Sequence, residues 1–240
     1  ETDPPEPNHF NHWHTHMIPG KHSPDHFRQA LAAVMNQHDA LRLRLEKKDD
    51  GWRQYFAQPD EDPPFEHFDF SDLPAEEQDQ RIEDICNRLN STLDLVNGPI
   101  LRVACFNLGK ERGGRMDWAV HHMAIDPYSW PFLKQDFFGA YQQLRAGQPI
   151  QFPPKTTSFK EWAEVLERLA ASDEIQGELA YWLDERHKAV EPLPRDFPDG
   201  DCLKASTDYV SVKLDTDYTE GLLHAAVDKH GVKIGDILLT

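Results

Sequence analysis

Two hydrophobic rhythms run along the chain, one of about 2 residues that predicts strands and one of about 3.6 residues that predicts helices. The stretch "HFNHWHTHMI", residues 9–18, predicts a strand, and "SPDHFRQALAAVMNQHDALRLRL" from Ser23 predicts a helix followed by another strand. Ser23 is placed to cap that helix and Pro24 opens it, while Phe27, Ala30, Leu31, Val34 and Met35 fall on one face. Leu41, Leu43 and Leu45 then alternate with Arg42 and Arg44, and "KKDDG" turns the chain into "WRQYF", so the helix leads into a hairpin. A second helix is predicted over 74–90 with Ile82, Ile85, Cys86 and Leu89 inward; "NGP" ends it, and "ILRVACFNL" begins a strand. After a "GKERGG" turn, "RMDWAVHH" sets Met116, Trp118, Val120 and His122 on one face against Asp117, Ala119 and His121 on the other.

Beyond this strand Ser129 is placed to cap a helix whose apolar side is Leu133, Phe137, Ala140, Tyr141 and Leu144, ending at Gly147. A proline-rich connector, "QPIQFPPKTT", leads to Ser158 and Glu161 at capping-box spacing, opening a helix with Phe159, Trp162, Ala163 and Leu166 on its buried side. Another helix runs through Trp182 and Leu183. The stretch 191–207, "EPLPRDFPDGDCLKAST", reads as a crossing linker, so the expected organisation is a lobe over 1–190 and the start of a second over 208–240. In that second part "YVSVKL" predicts a strand and "TEGLLHAAVDKH" a helix, and "IGDILLT" begins an apolar element that stops at the chain end. The runs "DDG" and "QPDEDPPFE" read as solvated loops.

A chain of 240 residues buries a sizeable core without outside staples. Its formal net charge of −17 excludes a general nucleic-acid surface and means that an acidic partner must find a local basic patch. Cys86, Cys105 and Cys202 are odd in number and far apart, which fits a reducing cytoplasm better than a disulfide framework. No apolar run is long enough to span a bilayer, and the acidic, proline-rich start lacks signal-peptide character, so a soluble, cytoplasmic protein is expected. Cys105 reads as a small core residue.

The candidate chemistry lies in "WAVHHMAIDPYSWPF", residues 118–132. A strand end that turns into a helix holds side chains rigidly yet at the mouth of a cavity, and imidazole titrates near neutral pH. His121, His122 and Asp126 are therefore candidate catalytic residues, with satisfied backbone polarity as the plain alternative. His12, His14 and His16 share a strand face, but no Cys, Asp or Glu stands at ligand spacing, so no metal is expected.

"HHMAIDPYSW" resembles the HHxxxDG motif of the condensation superfamily of nonribosomal peptide synthetases, in particular the HHxxxDGVSW form of its epimerization branch. "HFNH", "QHDALRLRL", "GPILRVACFNLG" and "PPKTTSFKEWA" resemble segments of that branch in the same order, so the likeness covers essentially the whole chain. It implies an α/β fold, the two-layer sandwich of chloramphenicol acetyltransferase-like proteins, here as a first lobe plus the start of a second. By resemblance His122 is the base or substrate-positioning group, His121 and Asp126 support it, and Ser129 and Trp130 are substrate-binding positions. The family aspartate commonly pairs with an arginine, whose place by the resemblance is the second lobe, and Arg42 or Arg44 is a candidate to line the same interior. No cofactor is expected to bind directly, because the substrate rides on the phosphopantetheine of a peptidyl carrier protein, the expected partner together with neighbouring synthetase domains. Epimerization at Cα of an aminoacyl or peptidyl thioester is the leading reading; amide-forming condensation, a non-catalytic docking role and a free-standing acyltransferase using coenzyme A are the alternatives. Epimerization needs a second group on the opposite face, in the family a glutamate of the later lobe. Pro127 stands where the motif has glycine, and Tyr128 and Pro131 also depart from it.

Overall fold

The structure, a computed structural model, describes residues 6–49, 51–59, 62–184, 194–200, 203, 207–226, 229 and 231–239. The chain divides into two compact units, residues 1–176 and 177–240.

In the first unit a four-stranded sheet has the order β1-β6-β5-β4, formed by β1 (Asn11–Ile18), β6 (Gly114–His121), β5 (Leu101–Asn107) and β4 (Phe65–Asp69). β1 and β5 both run antiparallel to β6, and β4 lies parallel to β5. Helix α1 (Pro24–Gln37) buries the five residues its periodicity marks, and Ser23 caps it by accepting the His26 N–H at 3.3 Å. Helix α4 (Trp130–Arg145) buries Leu133, Phe137, Ala140 and Tyr141 as its pattern predicts, with Trp130 added. These two helices pack with Val103, Cys105, Met116, Trp118 and Val120 into one core. Helix α2 (Ala75–Ser91) covers the other face, where Ile82 and Leu89 meet Ala104 and Phe106. At that face Gln78 is buried, its amide donating to the carbonyl oxygens of Phe70, Leu73 and Leu108.

Several expectations need correction. The span Asp39–Arg42 is a 3-10 turn, so the hairpin starts later, with β2 (Leu43–Lys48) against β3 (Gly51–Phe56) as a separate two-stranded sheet. The acidic run read as a loop ends in β4, whose Phe65 enters the α1 core while Phe68 packs against the α2 core. Prolines at 63 and 64 obscure this strand, because its pairing comes from β5 and not from local alternation. Helix α5 (Phe159–Ala170) has the expected capping box, but none of its residues is buried; Phe159 is 67% and Trp162 51% exposed. Caps and amphipathicity define a helix, whereas burial needs a partner element. A short α3 (Gly109–Arg112) connects β5 to β6.

Helix α6 (Asp173–Trp182) contains the division between the units. In the second unit, α7 (Thr216–Glu220), a π turn over Gly221–Ala226 and α8 (Ile234–Leu238) are present. The strand predicted at 209–214 is absent, its backbone irregular; among the described residues no strand pairs with it. Of the predicted linker, 194–200, 203 and 207 are described, in bends, turns and irregular backbone; Cys202 lies outside the described residues. No helix among the described residues is long and apolar enough to cross a membrane.

Candidate active site

Strand β6 delivers the two histidines to different surroundings, as its alternation predicts. His121, its last residue, is 2% exposed. Its Nε2 lies 2.8 Å from the Pro7 carbonyl oxygen, to which it donates, and its Nδ1 accepts the Met123 N–H at 3.2 Å. Burial lowers the pKa of this ring against the opposing effect of the Pro7 hydrogen bond. With both nitrogens engaged, His121 anchors the amino-terminal segment to the turn.

His122 sits one residue beyond the strand and is half-buried. Its backbone N–H donates to Phe10 O at 2.8 Å, carrying the β1–β6 pairing one step further. Its Nδ1 lies 3.0 Å from Ile125 O. A carbonyl oxygen can only accept, so Nδ1 carries the proton and the neutral ring presents its lone pair at Nε2. Phe10 stacks on the ring at 4.7 Å, and His12 meets it edge-on at 4.0 Å. Two flanking rings and one hydrogen bond thus orient the imidazole without occupying Nε2.

Behind it lies Trp130, buried at the start of α4, whose indole N–H points at His12 Nδ1 at 3.4 Å. Burial lowers the pKa of His12, as does nearby His122, while Asp126 acts in the opposite direction. His14 and His16 share the same face of β1 but stack on each other and pack against Trp130 and Phe138.

Asp126 turns the chain into α4. Its Oδ1 accepts the Ser129 N–H at 2.8 Å and the Ser129 hydroxyl at 2.6 Å, and its carbonyl oxygen accepts the same N–H at 3.1 Å. Those bonds, the hydroxyl's first, hold the Asp126 carboxyl below its ordinary range. Ser129 stands at the cap position, as predicted, but its side chain makes no cap bond; the carboxylate three residues earlier does the capping. Pro127 fits this arrangement. It occupies the second position of the turn from Asp126 to Ser129, where a fixed φ is favourable and its own N–H is not needed.

The arginines considered for this interior are committed elsewhere. Arg42 donates to Met35 O at 2.9 Å and to Ala57 O, and pairs with Asp39. Arg44 donates to Leu43 O at 2.8 Å and lies over Gly98, where an added Cβ would come within 2.0 Å of the guanidinium. A cluster that the sequence did not single out is His22, His67 and Cys105, contributed by a loop and two strands at the far end of β6. Of these three, only the burial of Cys105 follows from the sequence pattern.

Residues 3–240 match the model of the condensation domain. The chain belongs to the condensation-domain family. A linear gramicidin synthase protein of Brevibacillus parabrevis is 37% identical over 233 residues, covering 95% of this chain and 5% of that protein. Chondramide synthase of Chondromyces crocatus is 36% identical over 245 residues, 100% of this chain and 6% of that protein. Among solved structures, the epimerization domain from the third module of tyrocidine synthetase B superimposes with a TM-score of 0.83 at 30% identity, covering 98% of this chain and 53% of that one. This condensation-family chain therefore spans about half the length of that solved domain and a small part of the synthases. The starter condensation domain of rhizomide synthetase shares the fold, with a TM-score of 0.64 at 24% identity over 77% of this chain and 44% of that one. The fold class is accordingly α/β, of the chloramphenicol acetyltransferase-like kind.

Proposed function

We propose that this condensation-family domain works in nonribosomal peptide synthesis and epimerizes Cα of an aminoacyl or peptidyl thioester held on the phosphopantetheine of a carrier protein. The observation that carries the proposal is the open Nε2 of His122, set by the Nδ1–H bond to Ile125 O and held by the Phe10 and His12 rings. A thioester acidifies the α-proton. His122 Nε2 removes it, the electron pair passes into the thioester enolate, and an acid on the opposite face returns a proton to Cα. Asp126 and Ser129 set the turn that presents His122, and Trp130 acts through His12, so these residues position the base. The likeness to the tyrocidine epimerization domain, at higher identity and coverage than the starter condensation domain, supports this branch. On this reading residues 1–190 form the first lobe, 191–207 cross over and 208–240 begin the second. The carrier protein and neighbouring synthetase domains are the partners.

A condensation reading is compatible with the same family match. There the same Nε2 would receive the proton of an acceptor amine as it attacks the donor thioester. Pro127 gives no structural support to an inactive docking role, since the turn accommodates it.

The test loads a carrier protein with an L-aminoacyl group, adds the intact domain, and follows D-isomer and amide separately by chiral chromatography. D-isomer formation is expected, and His122→Ala should slow it by about 10²–10⁴-fold. Amide without D-isomer would select condensation. Turnover of free acyl-coenzyme A alone would select an acyltransferase, and no turnover at all would reject the catalytic reading.

A further inference from the structure

Toward the opposite end of β6 from His122, about 20 Å along the strand at its usual rise, three ligand-type side chains converge from three segments. Cys105 comes from β5, His67 from its register partner on β4, and His22 from the loop between β1 and α1. Their donor atoms all lie within 4.8 Å of one another. We propose that His22, His67 and Cys105 form a binding site for one divalent ion of the zinc type.

The geometry is set by more than proximity. His22 Nδ1 lies 2.9 Å from the Pro19 carbonyl oxygen, which can only accept, so the neutral ring carries its lone pair on Nε2. A backbone carbonyl fixing the far nitrogen is the arrangement that orients metal-binding histidines. Nε2 faces Cys105 Sγ at 3.4 Å. Two ligands of a tetrahedral zinc ion, at ordinary Zn–N and Zn–S lengths, stand roughly 3.6 Å apart. That pair is therefore already spaced for an ion. His22 is held in place on its other sides: its ring lies 5.7 Å from the Phe27 ring, and Gly114 leaves room for it, since an added Cβ there would come within 3.1 Å of the imidazole.

Cys105 is fully buried, and burial pushes its thiol pKa up to about 12. Without an ion it is a thiol that donates to His22 Nε2; binding an ion displaces that proton to solvent and leaves the thiolate as ligand. His67 is exposed, with its ring 5.8 Å from that of His22 and nearly perpendicular, so it can close the remaining gap from the solvent side. Its exposure also provides an entry path and leaves a fourth position for water. Burial and neighbouring His22 lower the pKa of His67, which keeps its ring neutral for binding, while Asp69 and Asp25 act in the opposite direction. Two imidazoles and one thiolate suit zinc and similar borderline-soft ions, whereas magnesium and calcium require oxygen ligands.

The experiment treats the full chain with a chelator, removes the chelator, and titrates in Co²⁺ as an optical probe, then Zn²⁺ by calorimetry. One equivalent of Co²⁺ should give a near-ultraviolet thiolate-to-cobalt charge-transfer band that Zn²⁺ abolishes. Cys105→Ala should lose the band, Cys86→Ala should keep it, and His67→Ala should weaken Zn²⁺ binding at least tenfold. The exposed His67 variant keeps its fold, checked by circular dichroism, so it decides the matter even if Cys105→Ala does not fold. Absence of the band, a band that survives Cys105→Ala, or unchanged affinity in His67→Ala would each overturn the site.

Discussion

Between Asp126 and Ser129 the chain must reverse from the histidine turn into α4, and the carboxylate achieves this by accepting both the N–H and the hydroxyl of Ser129. Asn can accept the same bonds and Ala cannot. In urea denaturation Asp126→Asn should therefore stay close to the parent, while Asp126→Ala should lose about 1 kcal/mol. Pro127→Gly should lose about 0.5–1 kcal/mol through the freer unfolded chain. At this scale alternation along β6 was enough to separate His121 from His122, because a strand end inherits the strand's period. Two features were not readable. The cap passed from Ser129 to Asp126 because it depends on the turn, and His22 meets Cys105 only through the pairing of distant segments.

Among elements, the buried face of α1 was legible to the residue and that of α4 but for Trp130 and the partly buried Leu144, since each packs one continuous stripe on the same sheet face. β4 was not, because a short strand after two prolines is defined by its neighbour β5. The exposed apolar side of α5 shows the same limit from the other direction: period identifies a face but not what covers it. β1 carries a consequence for stability. His16 packs against Phe138, its Nε2 is buried with no hydrogen-bond partner among the described residues, and burial, with smaller effects from His14 and Lys134, lowers its pKa to about 4. Below about pH 6.5 the unfolded chain binds a proton that the folded ring refuses until pH falls to about 4, so folding stability declines across that window. His12, His67 and His121 are shifted in the same direction by burial and add to the trend. Discounted for solvent screening at a half-buried ring, His16 contributes about 1–2 kcal/mol. Thermal unfolding midpoints measured between pH 7 and pH 4, on the scale of ordinary histidine titration, should fall less steeply for His16→Leu.

For the molecule as a whole, a four-stranded sheet holds chemistry at two ends of one strand. One end presents an imidazole oriented through Nδ1, whose Nε2 makes no hydrogen bond to the described residues, and the other gathers two imidazoles and a thiol. The fold class and family were recognisable from motifs spread over the chain, because they report on ancestry more than on any single contact. Removal of the α-proton of a carrier-bound thioester by His122 can be followed by exchange with solvent. An L-aminoacyl carrier protein is incubated with the intact domain in D₂O and the released amino acid is weighed by mass spectrometry. Deuterium at Cα that accumulates with the parent protein and is lost in His122→Ala is the expected result. A substrate that keeps its α-hydrogen with the parent protein, or a His122→Ala variant that exchanges just as fast, would contradict the account.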